Sequence, residues 1–304
     1  MERVKANIVL DAKAEKARKE LAITLKNDKI ITSFLAMHNL SSDFVDEYVG
    51  MFTTYKNIVE TCEKCKGLSK CPFDVAGEYN SLETDGEKLF FEMRKCDFLV
   101  DYEKRLAHLK QYQFNHLRKE FYEVSLFEMN VDDEKAEYLK ICTDLISWLD
   151  KEDKKGIYFY GGFGVGKTYL AACLSNELAK RGNTVSFLNS SEFCNEMRLN
   201  WNNSDFLQQT ISSLKYDDVL VVDDIGAEVV TNWIRDELLF PILDGRMGNN
   251  KLTIFTSNYN YDELLKHFMY NNKGEKDEIN SMRLMERIST LTDLVVLNGK
   301  NRRT

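Results

Sequence analysis

The sequence predicts an α/β protein in which a mostly parallel, doubly wound sheet follows a small, mainly helical domain. From about residue 131 onward, strand-like apolar runs alternate with amphipathic helical patterns. A glycine-rich loop joins one such run, Ile157–Tyr160, to a helical pattern. A second run, Val219–Val222, is continuously apolar, which is typical of a strand buried on both faces. Alternating strands and helices of this kind favour a parallel sheet covered by helices on both sides.

Length and composition limit the possible organisation and function. The 304 residues suffice for roughly two domains, which we place at 1–100 and 131–304 with a linker at 101–130. The net charge of −8 excludes an overall basic surface for nucleic acid, so any such contact is local. Neither an apolar run of about 18 residues nor a signal peptide is present. We therefore expect a cytoplasmic protein without a membrane span.

The glycine-rich loop matches the phosphate-binding pattern GxxxxGK[ST] in its strand–loop–helix context. It consists of Gly161, Gly162, Phe163, Gly164, Val165, Gly166, Lys167 and Thr168. The glycines let main-chain N–H groups converge on a phosphate, and the following helix adds its positive N-terminal end. We expect Lys167 to reach the β- and γ-phosphates of ATP and the Thr168 hydroxyl to bind Mg²⁺.

Polar residues follow two other predicted strands. Asp223 and Asp224 end the run Val219–Val222, and Asn258 ends the run Leu252–Ser257. Ligands of open parallel sheets lie off the carboxyl ends of the strands, so these side chains are expected beside Thr168. We assign Asp223 to Mg²⁺ and Asp224 to orienting or deprotonating the attacking water.

Cysteines of the N-terminal region have the spacing of a structural zinc site. Cys62, Cys65 and Cys71 lie close together in the sequence, and Cys96 follows them. Four thiolates suit one tetrahedral Zn²⁺, with no open position for catalysis. The alternative is a group of partly buried thiols without metal. Cys142, Cys173 and Cys194 lie in helical patterns and are expected in the core.

The loop, the segment Asp223–Gly226 and the segment Phe255–Asn258 together resemble the AAA+ ATPases of the DnaC/DnaI group. The stretch from Trp233 to Arg246 resembles the DnaI branch in particular. These proteins are primosomal helicase loaders. The resemblance covers residues 131–304 well and the cysteine-bearing region more loosely.

This resemblance implies further roles. Asn258 corresponds to the sensor that contacts the γ-phosphate or the attacking water. Arg283 and Arg287 lie in the segment that reaches into a neighbouring subunit's site, and Arg287 fits the arginine finger best. Arg302 or Arg303 is a candidate second sensor. Without the resemblance, Arg283 and Arg287 read as an i,i+4 pair on a solvated helix face.

Two departures from the family pattern affect these expectations. Many AAA+ proteins have Asp-Glu where this chain has Asp223-Asp224, and the shorter side chain loses about 1.5 Å of reach. We therefore expect slow hydrolysis. Only 17 residues separate Arg287 from Thr304, too few for the C-terminal helical lid of other AAA+ cores. A lidless core is expected, as in this loader group.

The resemblance implies an ATP-dependent loader of the replicative DnaB-type helicase. In that interpretation the cysteine-bearing domain binds the helicase, and the AAA+ core binds ATP, self-associates and contacts single-stranded DNA locally. An IstB-like transposition helper shares this ATPase core and is the first alternative. A nucleotide-binding zinc-domain adaptor without significant hydrolysis is the second.

Overall fold

A computed structural model of the protein describes residues 11–129, 136–299 and 301–302. The chain divides into two compact units, an N-terminal unit ending at Lys104 and a C-terminal unit beginning at Arg105. Within the described ranges, the helices are too short or too polar to cross a membrane.

The N-terminal unit packs helices against a β-hairpin. Its helices are α1 (Ala12–Lys26), α2 (Lys29–Met37), α3 (Asp43–Glu47), α4 (Val49–Glu63) and α5 (Asp97–Arg105), and its strands are β1 (Glu78–Thr84) and β2 (Leu89–Lys95). Asp11 and Asp28 begin α1 and α2 by accepting main-chain hydrogen bonds, which satisfies otherwise unpaired N–H groups. Ile31, Val45 and Phe52 are completely buried between these elements. The helical character was predicted, whereas the antiparallel hairpin β1–β2 was not.

The C-terminal unit is built on a six-stranded, entirely parallel sheet. Its strands are β3 (Tyr112–Asn115), β4 (Gly156–Gly161), β5 (Val185–Asn189), β6 (Val219–Asp223), β7 (Leu252–Ser257) and β8 (Thr292–Leu297). They are ordered β3-β5-β6-β7-β4-β8, so β4 and β6 lie on either side of β7. Because all strands are parallel, every carboxyl end meets at one edge of the sheet. The predicted parallel sheet is confirmed.

Helices cover both faces of this sheet. They are α6 (Ala136–Leu149), α7 (Lys167–Lys180), α8 (Ser190–Leu199), α9 (Ser204–Tyr216), a π-helix (Trp233–Leu239) that continues into α10 (Phe240–Gly248), α11 (Tyr261–Met269) and α12 (Glu278–Leu291). Alternate strand residues enter two separate cores: Ile157 and Phe159 pack with α6 and α7, whereas Tyr158 packs with the helices of the other face. The doubly wound arrangement follows from this alternation.

The region 101–130 is not a simple linker, which corrects our expectation. It contributes the edge strand β3, in which Tyr112 pairs with Val185 of β5. The residues after β3 then pack on α7, where the Asn176 amide donates to the main-chain oxygens of Phe121 and Val124. A strand of only four residues gives too short an alternation to be recognised in sequence.

Strand β8 completes the sheet at the edge beside β4. Strand β8 follows α12 directly and pairs with β4, in the register Gly156–Thr292 to Gly161–Leu297. Among the described residues, none after β8 is helical.

Candidate nucleotide-binding site

The loop between β4 and α7 has the conformation that its glycines predict. Gly164 and Gly166 have φ angles of 75° and 102°, which side chains other than glycine rarely adopt. A Cβ atom on Gly164 would meet the side-chain amide of Asn301, which would have to move aside. Substitution at this position is therefore opposed mainly by the main-chain conformation.

Lys167 lies at the centre of the loop, and its side chain is held on both sides. Its Nζ atom donates to the main-chain oxygens of Gly161 and Gly162 and to Oδ1 of Asn258, each at 2.8 Å. The residue is only 7% exposed. These three acceptors use all three N–H donors of the ammonium group, so a phosphate entering above the loop would replace one of them.

Thr168 and Asp223 place two oxygen donors beside the loop. The Thr168 hydroxyl donates to Oδ1 of Asp223 at 2.8 Å, and Thr256 donates to the same oxygen at 2.7 Å. Burial raises the pKa of the Asp223 carboxyl, against the lowering effect of these two hydroxyl donors, and the neighbouring Asp224 raises it further. Hydroxyl and carboxylate oxygens are the ligands that Mg²⁺ prefers, so this pair fits the ion.

Asp224 occupies a strained position at the mouth of the site. Its φ angle is 60°, in the left-handed region, and its main-chain N–H donates to Thr256 Oγ1 at 2.8 Å. Its Oδ1 atom accepts from the Asn258 amide at 3.2 Å. Asn258 therefore connects Lys167 with Asp224: its amide oxygen accepts from Lys167, and its amide nitrogen donates to Asp224. Backbone strain of this kind is concentrated at functional sites.

A cavity of about 440 Å³ opens in front of the loop. The predicted residues that line it are Phe163, Gly164, Gly166, Lys167, Thr168, Asp224 and Asn258. The lining residues that we did not assign to a nucleotide site from sequence are Arg118, Glu120, Phe121, Met129, Tyr138 and Tyr169. Four of these, from Arg118 to Met129, lie in the region 101–130 that we interpreted as a linker. The basic and aromatic residues of that region are the sequence signal that could have indicated a binding role. The volume lies within the range of small-molecule sites.

Arg302 joins the site from the end of the chain. Its main-chain N–H donates to the Gly164 oxygen at 2.9 Å, and its Nη1 atom donates to the Val165 oxygen. Its guanidinium carbon lies 3.8 Å from the centre of the Tyr138 ring. Of the two candidate second sensors, Arg302 therefore lines the cavity, whereas Arg303 lies outside the described residues.

Arg283 and Arg287 do not line the cavity of their own chain. Both guanidinium groups lie over the ring of Phe240, at 4.8 and 5.4 Å from its centre. Arg287 donates to Asp244 at 2.8 Å and to Glu286 at 2.7 Å, and the bond to Asp244 raises its pKa. The two arginines thus share one face of α12 with an aromatic platform on α10.

The four N-terminal cysteines line one cavity of about 320 Å³ within their own unit. Burial raises the pKa of the Cys62 thiol, and the nearby Cys65, Cys71 and Cys96 raise it further. Among the residues described, however, no group of three or more Cys, His, Asp or Glu side chains has an arrangement that could hold a metal ion. The expected zinc site is therefore not confirmed. Cys142, Cys173 and Cys194 are buried, as predicted.

Comparison with known proteins identifies the family. Residues 78–303 match the family of IstB-like ATP binding proteins. The replicative helicase loader DnaI of Bacillus subtilis (strain 168) is 28% identical over 295 residues, which is 95% of this chain and 94% of that protein. The replicative helicase loader DnaC of Escherichia coli (strain K12) is 30% identical over 109 residues, 36% of this chain and 44% of DnaC.

A solved structure agrees with the sequence matches. The match to the crystal structure of DnaI has 31% sequence identity and a TM-score of 0.53. It covers 65% of this chain and the whole of the DnaI chain in that structure. The resemblance to the DnaI type that the motifs predicted is confirmed, and the chain belongs to the family of IstB-like ATP-binding proteins.

Proposed function

We propose that this chain is an ATP-dependent loader that places the replicative hexameric helicase on single-stranded DNA during primosome assembly. The observation that carries this proposal is a phosphate loop with all its partners in place, in a chain that is similar to DnaI over nearly its whole length. DnaI and DnaC are named replicative helicase loaders, which supports the same partner here.

In the proposed ATPase cycle, Lys167 would neutralise the β- and γ-phosphates, and Thr168 and Asp223 would hold Mg²⁺. The ion would lower the charge on the phosphates and help to orient them. Asp224 is the candidate for orienting or deprotonating the attacking water, and Asn258 for contacting the γ-phosphate or that water. The hydrogen bond between the Asn258 amide and Asp224 supports a joint role, because one movement changes both groups.

Arg287 is proposed to act on the nucleotide of an adjacent copy of the chain, with Arg283 beside it. Their absence from the lining of their own cavity supports action in trans. An arginine supplied by a neighbouring subunit stabilises charge on the transferring phosphate and accelerates hydrolysis by a factor of ~10³–10⁵. Self-association would therefore be required for fast hydrolysis.

The N-terminal unit is proposed to bind the helicase, with Zn²⁺ on the four cysteines as its stabilising ion. Their common cavity and their thiolate chemistry support zinc, although the thiols as positioned do not form a coordinating group. The proposed domain boundaries are those predicted from sequence, except that we place β3 and the residues after it with the ATPase core, which their contacts support.

Nucleotide binding by the full chain is the first test. Lys167→Ala should abolish tight binding of MgATP, since the phosphates lose their cation. Lys266→Ala is the matched control, because Lys266 is exposed on α11 and does not line the cavity. If Lys167→Ala binds MgATP as well as the parent does, the phosphate-loop assignment is wrong.

Turnover and capture experiments separate the loader from the two alternatives. A loader should capture the cell's own replicative helicase, and its ATPase should rise with helicase or single-stranded DNA. An IstB-like transposition helper should hydrolyse ATP without capturing the helicase. An adaptor should bind MgATP without turnover under any of these conditions.

A further inference from the structure

The region after β3 brings one more cation into the nucleotide cavity. Arg118 lines this cavity together with Lys167, Thr168 and Asp224. Strand β3 is parallel to the rest of the sheet, so its carboxyl end opens at the same edge as those of β4 and β6. The topology therefore brings the residues that follow β3 to the edge at which the phosphate loop lies.

The main chain around Arg118 is anchored to the core, whereas its side chain extends into solvent. His116 donates its main-chain N–H to Phe187 of β5 at 2.9 Å, and Leu117 is buried in the core between α7 and the sheet. On the other side, Phe121 packs edge-on against Tyr169, with ring centres 6.1 Å apart. The guanidinium extends from this anchored segment and is 63% exposed.

The partners of the Arg118 side chain are weak: the exposed carboxylate of Glu120 and the ring of Phe121, whose centre lies 5.6 Å from the guanidinium carbon. Its Nη1 atom donates to Oε1 of Glu120 at 3.1 Å, and the Glu120 side chain is itself 60% exposed. Such exposed pairs contribute little, typically below about 1 kcal/mol, so an incoming phosphate group competes readily for the guanidinium.

We propose that Arg118 binds the phosphate chain of the nucleotide held by its own subunit, and that Glu120 holds the guanidinium when no nucleotide is present. This inference rests on the proposed nucleotide binding and adds a residue that the phosphate-loop pattern does not contain. A planar guanidinium suits phosphate oxygens, since it donates two parallel hydrogen bonds. The edge strand β3 and the residues after it are then part of the nucleotide site.

Affinities of the full chain for MgATP and MgADP, measured by calorimetry, test the proposal. Arg118→Gln should weaken MgATP binding about tenfold or more, the loss expected for one hydrogen bond to a charged group. Arg118→Lys should recover part of that loss because it keeps the charge. Glu120→Gln should have the opposite effect, a gain of about two- to fivefold, because it releases Arg118 and removes a negative charge from the cavity.

If Arg118 binds phosphate, Arg118→Gln should lower the affinity for MgATP and Glu120→Gln should raise it. If the two residues have only a structural role, both substitutions should lower the affinity. Arg105→Gln is the matched control: Arg105 forms a comparable exposed ion pair with Glu123 at 2.9 Å and does not line the cavity. Equal loss for MgATP and MgADP means contact with phosphates shared by both, and a loss for MgATP alone means contact with the γ-phosphate. Either result supports the proposal.

If Arg118→Gln binds MgATP within about twofold of the parent while Lys167→Ala does not bind it, this inference is overturned and the proposed function remains. If the parent itself binds no MgATP, both are overturned.

Discussion

Replacing Asp223 by asparagine should stabilise the nucleotide-free protein and, at the same time, remove its Mg²⁺-dependent turnover. Asp223 is 7% exposed, and burial raises the pKa of its carboxyl above that of the unfolded chain. A carboxyl with a raised pKa contributes stability below its unfolded pKa and loses that contribution as pH rises through its folded pKa. The ionised side chain therefore destabilises the empty site, and asparagine has no charge to bury.

The hydrogen bonds at this position survive the substitution. Oδ1 of Asp223 accepts from the hydroxyls of Thr168 and Thr256, and the amide oxygen of asparagine can accept the same two bonds. Single stabilising substitutions commonly yield about 0.5–2 kcal/mol. For a unit of this size, 1 kcal/mol shifts the melting temperature by about 2–4 °C, so we expect a rise of roughly 1–8 °C.

Thermal unfolding without nucleotide, followed by circular dichroism from about pH 4 upward, measures this effect. The difference between Asp223→Asn and the parent should grow as pH rises above the pKa of the unfolded carboxyl, until the folded carboxyl is fully ionised. Asp224→Asn is the control: this neighbour is only half-buried, and asparagine tolerates its left-handed conformation, so stability should change by less than about 0.5 kcal/mol. A melting temperature of Asp223→Asn at or below that of the parent at every pH would refute the reasoning.

Three further predictions concern assembly, metal and the core. Arg287→Ala and Lys167→Ala should each be inactive alone, and mixing them should restore part of the ATPase activity. In a mixed interface, the Arg287→Ala chain supplies an intact phosphate loop and the Lys167→Ala chain supplies an intact Arg287. Full activity of Arg287→Ala alone would show that Arg287 has no part in the mechanism. Elemental analysis after reducing purification should find about one Zn²⁺ per chain if the four N-terminal cysteines bind it, and less than half an equivalent would exclude that site. Arg246→Met should destabilise the protein by about 3–5 kcal/mol, as measured by urea unfolding. The guanidinium of Arg246 is completely buried and donates to the carbonyls of Leu214, Asp217 and Leu252, which the substitution leaves unpaired. A loss of stability below about 1 kcal/mol would contradict this prediction.

Much of the site could be predicted because its residues lie in contiguous patterns. The loop Gly161–Thr168 has fixed spacing, and an apolar strand before it and a helix after it define its context. Asp223 and Asn258 could be placed beside it because the parallel sheet brings the carboxyl ends of all its strands to one edge. Only general rules of parallel sheets were needed to bring these three segments together.

Local periodicity and spacing were enough to predict the class of fold and the phosphate loop. They were also enough to predict the loop's acidic and amide partners, Asp223, Asp224 and Asn258. The tertiary structure alone decided that β3 pairs with β5, that Arg118 and Tyr138 enter the nucleotide cavity, and that Arg287 lies against Asp244 of its own chain. The pairing of β1 with β2 as an antiparallel hairpin was likewise visible only in the structure. Contacts of this kind join residues that are distant in sequence, and their energy comes from burial and pairing in the folded chain, which no local pattern records.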